Sequence, residues 1–126
     1  MNSILNTIKK MLNIDSEFTA FDIDIIIHIN SVLRELNQIG VGKDKFSIID
    51  DTSTWSEFIE DQDIEEVKTL IYLKVRLLFD PPSNSSVLQS LKELIKEYEC
   101  RLNYKEKVDE WYFSSHNICA FFIRIY

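Results

Sequence analysis

Asp80-Pro81-Pro82, set between two apolar periodicities, constrains the fold of this chain more than any other feature. Proline has no amide hydrogen to donate and its ring clashes with the preceding helical turn, and the residue before a proline is pushed out of helical geometry. A helix entering this tripeptide must stop near Phe79. Before the stop, Val67, Leu70, Ile71, Val75 and Leu78 recur at steps of three and four, which lines them along one face of an α-helix. After it, Val87, Leu88, Leu91, Leu94, Ile95, Tyr98 and Leu102 repeat the pattern, with Ser85 or Ser86 available as the N-cap. Two apolar stripes joined by so short a turn predict an antiparallel helical hairpin, with helices over about 63–79 and 85–103.

Nearer the N-terminus, Ser3 can cap a short helix that puts Ile4, Leu5, Ile8, Met11 and Leu12 on one face and leaves Asn6, Lys9 and Lys10 to water. Thr19 opens a longer helix in which Phe21, Ile25, Ile29, Val32, Leu33 and Leu36 keep helical spacing until Gly40. Between Ile23 and Ile29, isoleucines occupy more than one face. Such a helix is either the centre of the bundle or meets a partner subunit on its second side, and the partner is the favoured reading. From Val41 to Thr54 the helical period is lost, and Gly40, Gly42, Asp50 and Asp51 mark a loop with a short β segment expected at Phe46, Ile48 and Ile49. Trp55, Phe58 and Ile59 predict a single helical turn. The expected fold class is all-α, a small bundle of about four helices with an irregular loop at 40–54.

Past Asn103 the chain first becomes charged and then aromatic and β-branched, with Trp111, Phe113, Phe121, Phe122, Ile123 and Tyr126 among its apolar residues. The final stretch favours an extended strand. Such a strand has two destinations of equal standing, a sheet edge of another chain or the surface of its own domain. The expected organisation is a helical domain at 1–103 and a C-terminal arm at 104–126.

Charge and residue usage narrow the chemistry. The formal net charge is −7 and the pI is about 4.8, so phosphate backbones repel the chain as a whole. No basic run exceeds Lys9-Lys10, which disfavours a DNA-binding regulator, the alternative that any set of short helices invites. Cys100 and Cys119 are too few for a disulfide framework, and no signal peptide or membrane span is evident, so an intracellular setting is expected. His28 lies within the isoleucine run with no second donor one turn away, and is expected to pack rather than ligate. His116 belongs to the arm and has no local catalytic signature around it. Asp50, Asp51, Glu57, Glu60, Asp61, Asp63, Glu65 and Glu66 crowd together, but lack the alternating ligands and glycine of a calcium loop. A solvated acidic surface, with Asp61 and Asp63 favouring a helix start, is the simpler account. No catalytic, metal or cofactor site is expected, and the chain is read as a non-enzyme.

The run from Val67 to Asn103, VKTLIYLKVRLLFDPPSNSSVLQSLKELIKEYECRLN, resembles the head-tail connector (adaptor) proteins of tailed phages and prophages of Gram-positive bacteria. KVRLLFDPP and the closing Glu99-Cys100-Arg101-Leu102-Asn103 are the most distinctive words, and the likeness extends back through ILNTIKKMLNI, FDIDIIIHINSVLRELNQIGVG and TWSEFI, so that it covers about Met1 to Asn103. The family carries a tryptophan where this chain has Cys100, which implies a half-buried packing role for that cysteine. The arm after Asn103 has no counterpart in the resemblance. What the resemblance implies is a virion structural protein in the neck, made in the host cytoplasm. There a ring of about twelve copies contacts the portal and the next neck or tail protein and extends the DNA channel. A tail-completion protein of the same particle is the alternative within that reading. The subunit interface is then expected at Ile23, Ile26, Ile27, Trp55 and Phe58, and an acidic channel lining at Asp50, Asp51, Glu57, Glu60 and Asp61. A tail docking on the portal or a neighbour is expected at Trp111, Phe113, Phe121, Phe122, Ile123 and Tyr126, with Asp80, Pro81 and Pro82 fixing the hairpin turn.

Overall fold

The hairpin forms where the prolines require it. A computed structural model describes residues 3–60 and 64–106, with side chains as far as Leu102. In it α1 spans Ile4–Met11, α2 Asp22–Gln38, the one-turn α3 Trp55–Phe58, α4 Ile64–Phe79 and α5 Ser85–Glu106. This is the small all-α bundle expected, with α5 running through the 103/104 boundary. Among the described residues there is no strand, only an isolated antiparallel bridge between Ser3 and Thr54. The β segment expected at Phe46, Ile48 and Ile49 does not form, because Ile48 takes its backbone partners from a side chain on α2.

Local chemistry sets the helix ends. Ser3 caps α1 by accepting from the Asn6 N–H at 3.2 Å. Thr19 does not open α2; the helix begins at Asp22 without a side-chain cap, and Asp22 and Asp24 place negative charge in its first turn, where the helix dipole favours it. Asn84 caps α5 in place of Ser85 or Ser86, since its Oδ1 accepts from the N–H groups of Ser86 and Val87. At the other end of α2, Gly40 adopts φ 86°, its N–H donates to Asn37 O, and the Val41 N–H donates to Leu36 O at 2.9 Å. These are the paired bonds of a Schellman stop, sealed by the buried Leu36 and Val41. Asn13 does the same for α1 at φ 64°.

The central pair is α2 and α4; α1 lies against both, and α5 packs chiefly on α4. The core joins Leu5 and Ile8, the stripe Ile25, Ile29, Val32 and Leu36, the stripe Val67, Leu70, Ile71 and Val75, and Leu91, Ile95 and Leu102 from α5. Each such side chain contributes about 1.5–3 kcal/mol relative to exposure. Leu78, on the same α4 stripe, is 52% exposed in the last turn before the proline stop, and Val87 and Leu94 of α5 are exposed too.

Two lysines tie the elements together. Lys9, expected in water, is 1% exposed. Its Nζ donates to Ser16 O at 3.1 Å and Phe18 O at 2.8 Å and lies 2.7 Å from Asp22 Oδ1, an ion pair without hydrogen-bond alignment. Lys9 thereby fastens α1, the connection after it and the start of α2. Lys74 of α4 pairs with Glu35 of α2 and Glu99 of α5, each at 2.8 Å. Burial pulls the Lys74 ammonium downward, but hydrogen bonds to Glu35 and Glu99, together with their charges, hold its pKa above the ordinary 10.5.

Candidate assembly surfaces

A helix turns about 100° per residue, so the faces of α2 follow from its buried stripe. Ile25, Ile29, Val32 and Leu36 point inward, and Ile23, Ile27 and Arg34 fall on the opposite side, all exposed. Ile23 is 74% and Ile27 59% exposed, an apolar pair one turn apart on a rigid helix. Ile26 is partly buried at the margin of this face, packed on the core. Trp55 and Phe58 lie in the core itself, each 2% exposed, and offer a neighbour no side-chain area. The Trp55 indole N–H donates to Thr7 Oγ1 at 3.1 Å, the Lys68 ammonium sits 5.7 Å from its ring, and Phe58 packs against Phe46 with ring centroids 5.4 Å apart. Of the five residues expected at an interface, the outer face of α2 brings together Ile23 and Ile27.

The loop between α2 and α3 is held by two asparagines that sequence reasoning passed over. The Asn30 amide donates to Ile48 O at 2.9 Å and its Oδ1 accepts from the Ile48 N–H at 2.8 Å. Two turns further on, Asn37 donates to Lys43 O at 2.9 Å and accepts from the Lys45 N–H. Polar amides in a helix interior are disfavoured unless they bond something, so asparagines seven apart were the available signal. Between α2 and this loop lies an open cleft of about 480 Å³ lined by Arg34, Asn37, Asp44 and Lys45 among others. Gly42 sits at φ 82° against the Phe58 ring.

So anchored, the loop carries Asp50 and Asp51 outward, and α3 and the residues after it carry Glu57 and Glu60. Asp50, Asp51, Glu57 and Glu60 are all exposed, and Asp61 lies outside the described residues. No lysine or arginine occurs between Lys45 and Lys68, so nothing in the sequence of that stretch neutralises them. The Asp50 carboxylate accepts from the Thr52 hydroxyl and from the Thr52 N–H at 2.9 Å, and these bonds lower its pKa below the usual aspartate value.

A third surface lies at the proline-turn end. The antiparallel hairpin puts Phe79, Pro81, Pro82 and the first turn of α5 at one end of the bundle. Ring contacts of 5.5 Å between Phe18 and Phe21 and 5.4 Å between Phe21 and Phe79 bring the start of α2 there as well. Phe18, Phe21 and Leu78 remain exposed. His28 packs edge-on to Phe79 at 6.4 Å, the packing role its position implied.

Among the described residues, no group of His, Cys, Asp and Glu is placed to hold a metal ion, and no helix is long and apolar enough to cross a membrane. Trp111, Phe113, Phe121, Phe122, Ile123 and Tyr126 lie outside the described residues, as does His116. Among known families, a model described as phage connector protein matches residues 4–109, a span that takes in all five helices. No curated protein and no solved structure matches the chain.

Proposed function

Because the chain belongs to the phage connector family, and is thereby a structural component of a phage head-tail connection, we propose that it works as one subunit of a ring of about twelve copies. The ring sits in the neck between the portal and the next neck or tail protein and contributes by assembly, without catalysis. The observation that carries this is the outer face of α2, where Ile23 and Ile27 are exposed opposite the buried stripe. A closed ring of like subunits needs two unlike side faces that meet head to tail. An apolar pair on a rigid helix supplies one of them.

Asp50, Asp51, Glu57, Glu60 and Asp61 face the channel in this reading. Carboxylates repel phosphate, whereas lysine and arginine bind it irrespective of sequence, so an acidic lining lets DNA pass without sticking. The protein then needs no base-reading surface.

Replacing both isoleucines tests the ring. Ile23→Asp/Ile27→Asp changes only exposed positions, so the helical circular dichroism should match wild type. Light scattering with purified portal should give a defined complex for the wild-type chain and none for the variant, and a host supplying only the variant should accumulate filled heads without tails. Normal tail attachment by the variant would remove α2 from the interface.

A further inference from the structure

The proline-turn end of the bundle is apolar and uncovered, with Phe18, Phe21 and Leu78 exposed and the half-buried Phe79, which follows Leu78, packed on the Phe21 ring. We propose that the occupant of this surface is the chain's own segment 107–126, turned back along α5 so that its 121–126 stretch lies on Phe18, Phe21 and Leu78. The chemistry matches, since Phe121, Phe122, Ile123, Ile125 and Tyr126 leave water only by covering apolar area of this kind. The path is marked as well. Leu94 and then Val87, two turns apart and both exposed, lie on α5 between its C-terminal end and the turn. The reach suffices: the 22 residues of α5 rise about 33 Å, and the roughly 15 residues from Glu106 to Phe121 span up to about 50 Å when extended. A tethered segment that can reach its site meets it at millimolar effective concentration, which favours the segment's own subunit over a neighbour or the portal in the free protein.

A photo-crosslinking amino acid placed at Phe121 of the full-length chain tests this without disturbing the bundle. Illumination of a mixture of light and isotopically heavy chains should give crosslinks to peptides containing Phe18, Phe21 or Leu78, all within one isotopic mass. Phe18→Asp and Leu78→Asp should lower the yield several-fold while leaving the helical circular dichroism unchanged. Crosslinks to other parts of the chain, mixed-mass crosslinks, no crosslinks, or a yield untouched by the two substitutions would each overturn the proposal. Because the free subunit is probed, the outcome is read separately from ring assembly.

Discussion

Replacing the buried Lys9 with methionine should destabilise the protein by about 3–5 kcal/mol, since two charge-assisted hydrogen bonds of about 1.5–3 kcal/mol each are lost. Methionine fills much the same apolar volume as the lysine stem, so little packing is lost. What is lost is the donor to Ser16 O and Phe18 O and the charge beside Asp22. Removing one partner of a wholly buried pair costs about 3–5 kcal/mol, but the Asp22 side chain keeps 23% of its exposure, so water recovers part of its solvation. That places the expected cost below the upper bound of the two bonds' sum. Asp22→Asn should cost about 1 kcal/mol, and the double variant should fall about 1–2 kcal/mol short of the sum, because the second change removes a charge already stranded. Urea unfolding followed by circular dichroism reads these losses as a midpoint shift at constant slope. A Lys9→Met variant within about 0.5 kcal/mol of wild type, or a strictly additive double variant, would refute the assignment of Lys9 as the fastener of α1 to α2.

Gly42→Ala should cost about 2–4 kcal/mol, because its Cβ would enter the buried Phe58 ring at a backbone φ of 82°; Gly40→Ala, at the exposed end of α2, should cost about 1 kcal/mol in the same unfolding assay. Asn30→Ala strands both backbone groups of buried Ile48 and should cost about 2–3 kcal/mol, with amide hydrogen exchange rising first across 41–54. For Lys74, whose pKa is raised in the folded state, the stabilisation is complete below the unfolded value of about 10.5 and lost as pH rises through the folded value. The stability gap between wild type and Lys74→Met should therefore stay level from neutral pH to about 9 and shrink only as pH rises beyond about 10.5 through the folded value, whereas a gap that stays unchanged across that rise would contradict the bridge to Glu35 and Glu99.

Much of the fold was legible because it rests on local rules. Pro81 and Pro82 stop α4 at Phe79 whatever else the chain does, and Val67, Leu70, Ile71 and Val75 bury because helical periodicity puts them on one face. What escaped depends on contacts between residues distant in sequence. Ile48 has the alternation of a strand, but its hydrogen bonds go to Asn30, eighteen residues earlier. Lys9 follows Leu5 by four and so lies on the apolar stripe of α1; charge alone argued for water, and only the fold supplies the carbonyls and the carboxylate that let it stay buried. The surfaces divide in the same way. Isoleucines on a second face of α2 were visible as a pattern, and Ile23 and Ile27 are exposed there, whereas aromatic content alone could not distinguish Trp55 and Phe58, which hold the loop from inside, from residues that meet a neighbour.

Electron cryomicroscopy of the neck in intact particles containing this protein tests the central claim most directly. The expected result is a closed ring of copies of this bundle between portal and tail, with Ile23 and Ile27 of each α2 buried against the adjacent copy and Asp50, Asp51, Glu57 and Glu60 turned toward the channel. A neck without the chain, or a ring in which α2 faces solvent and those carboxylates point away from the axis, would contradict it.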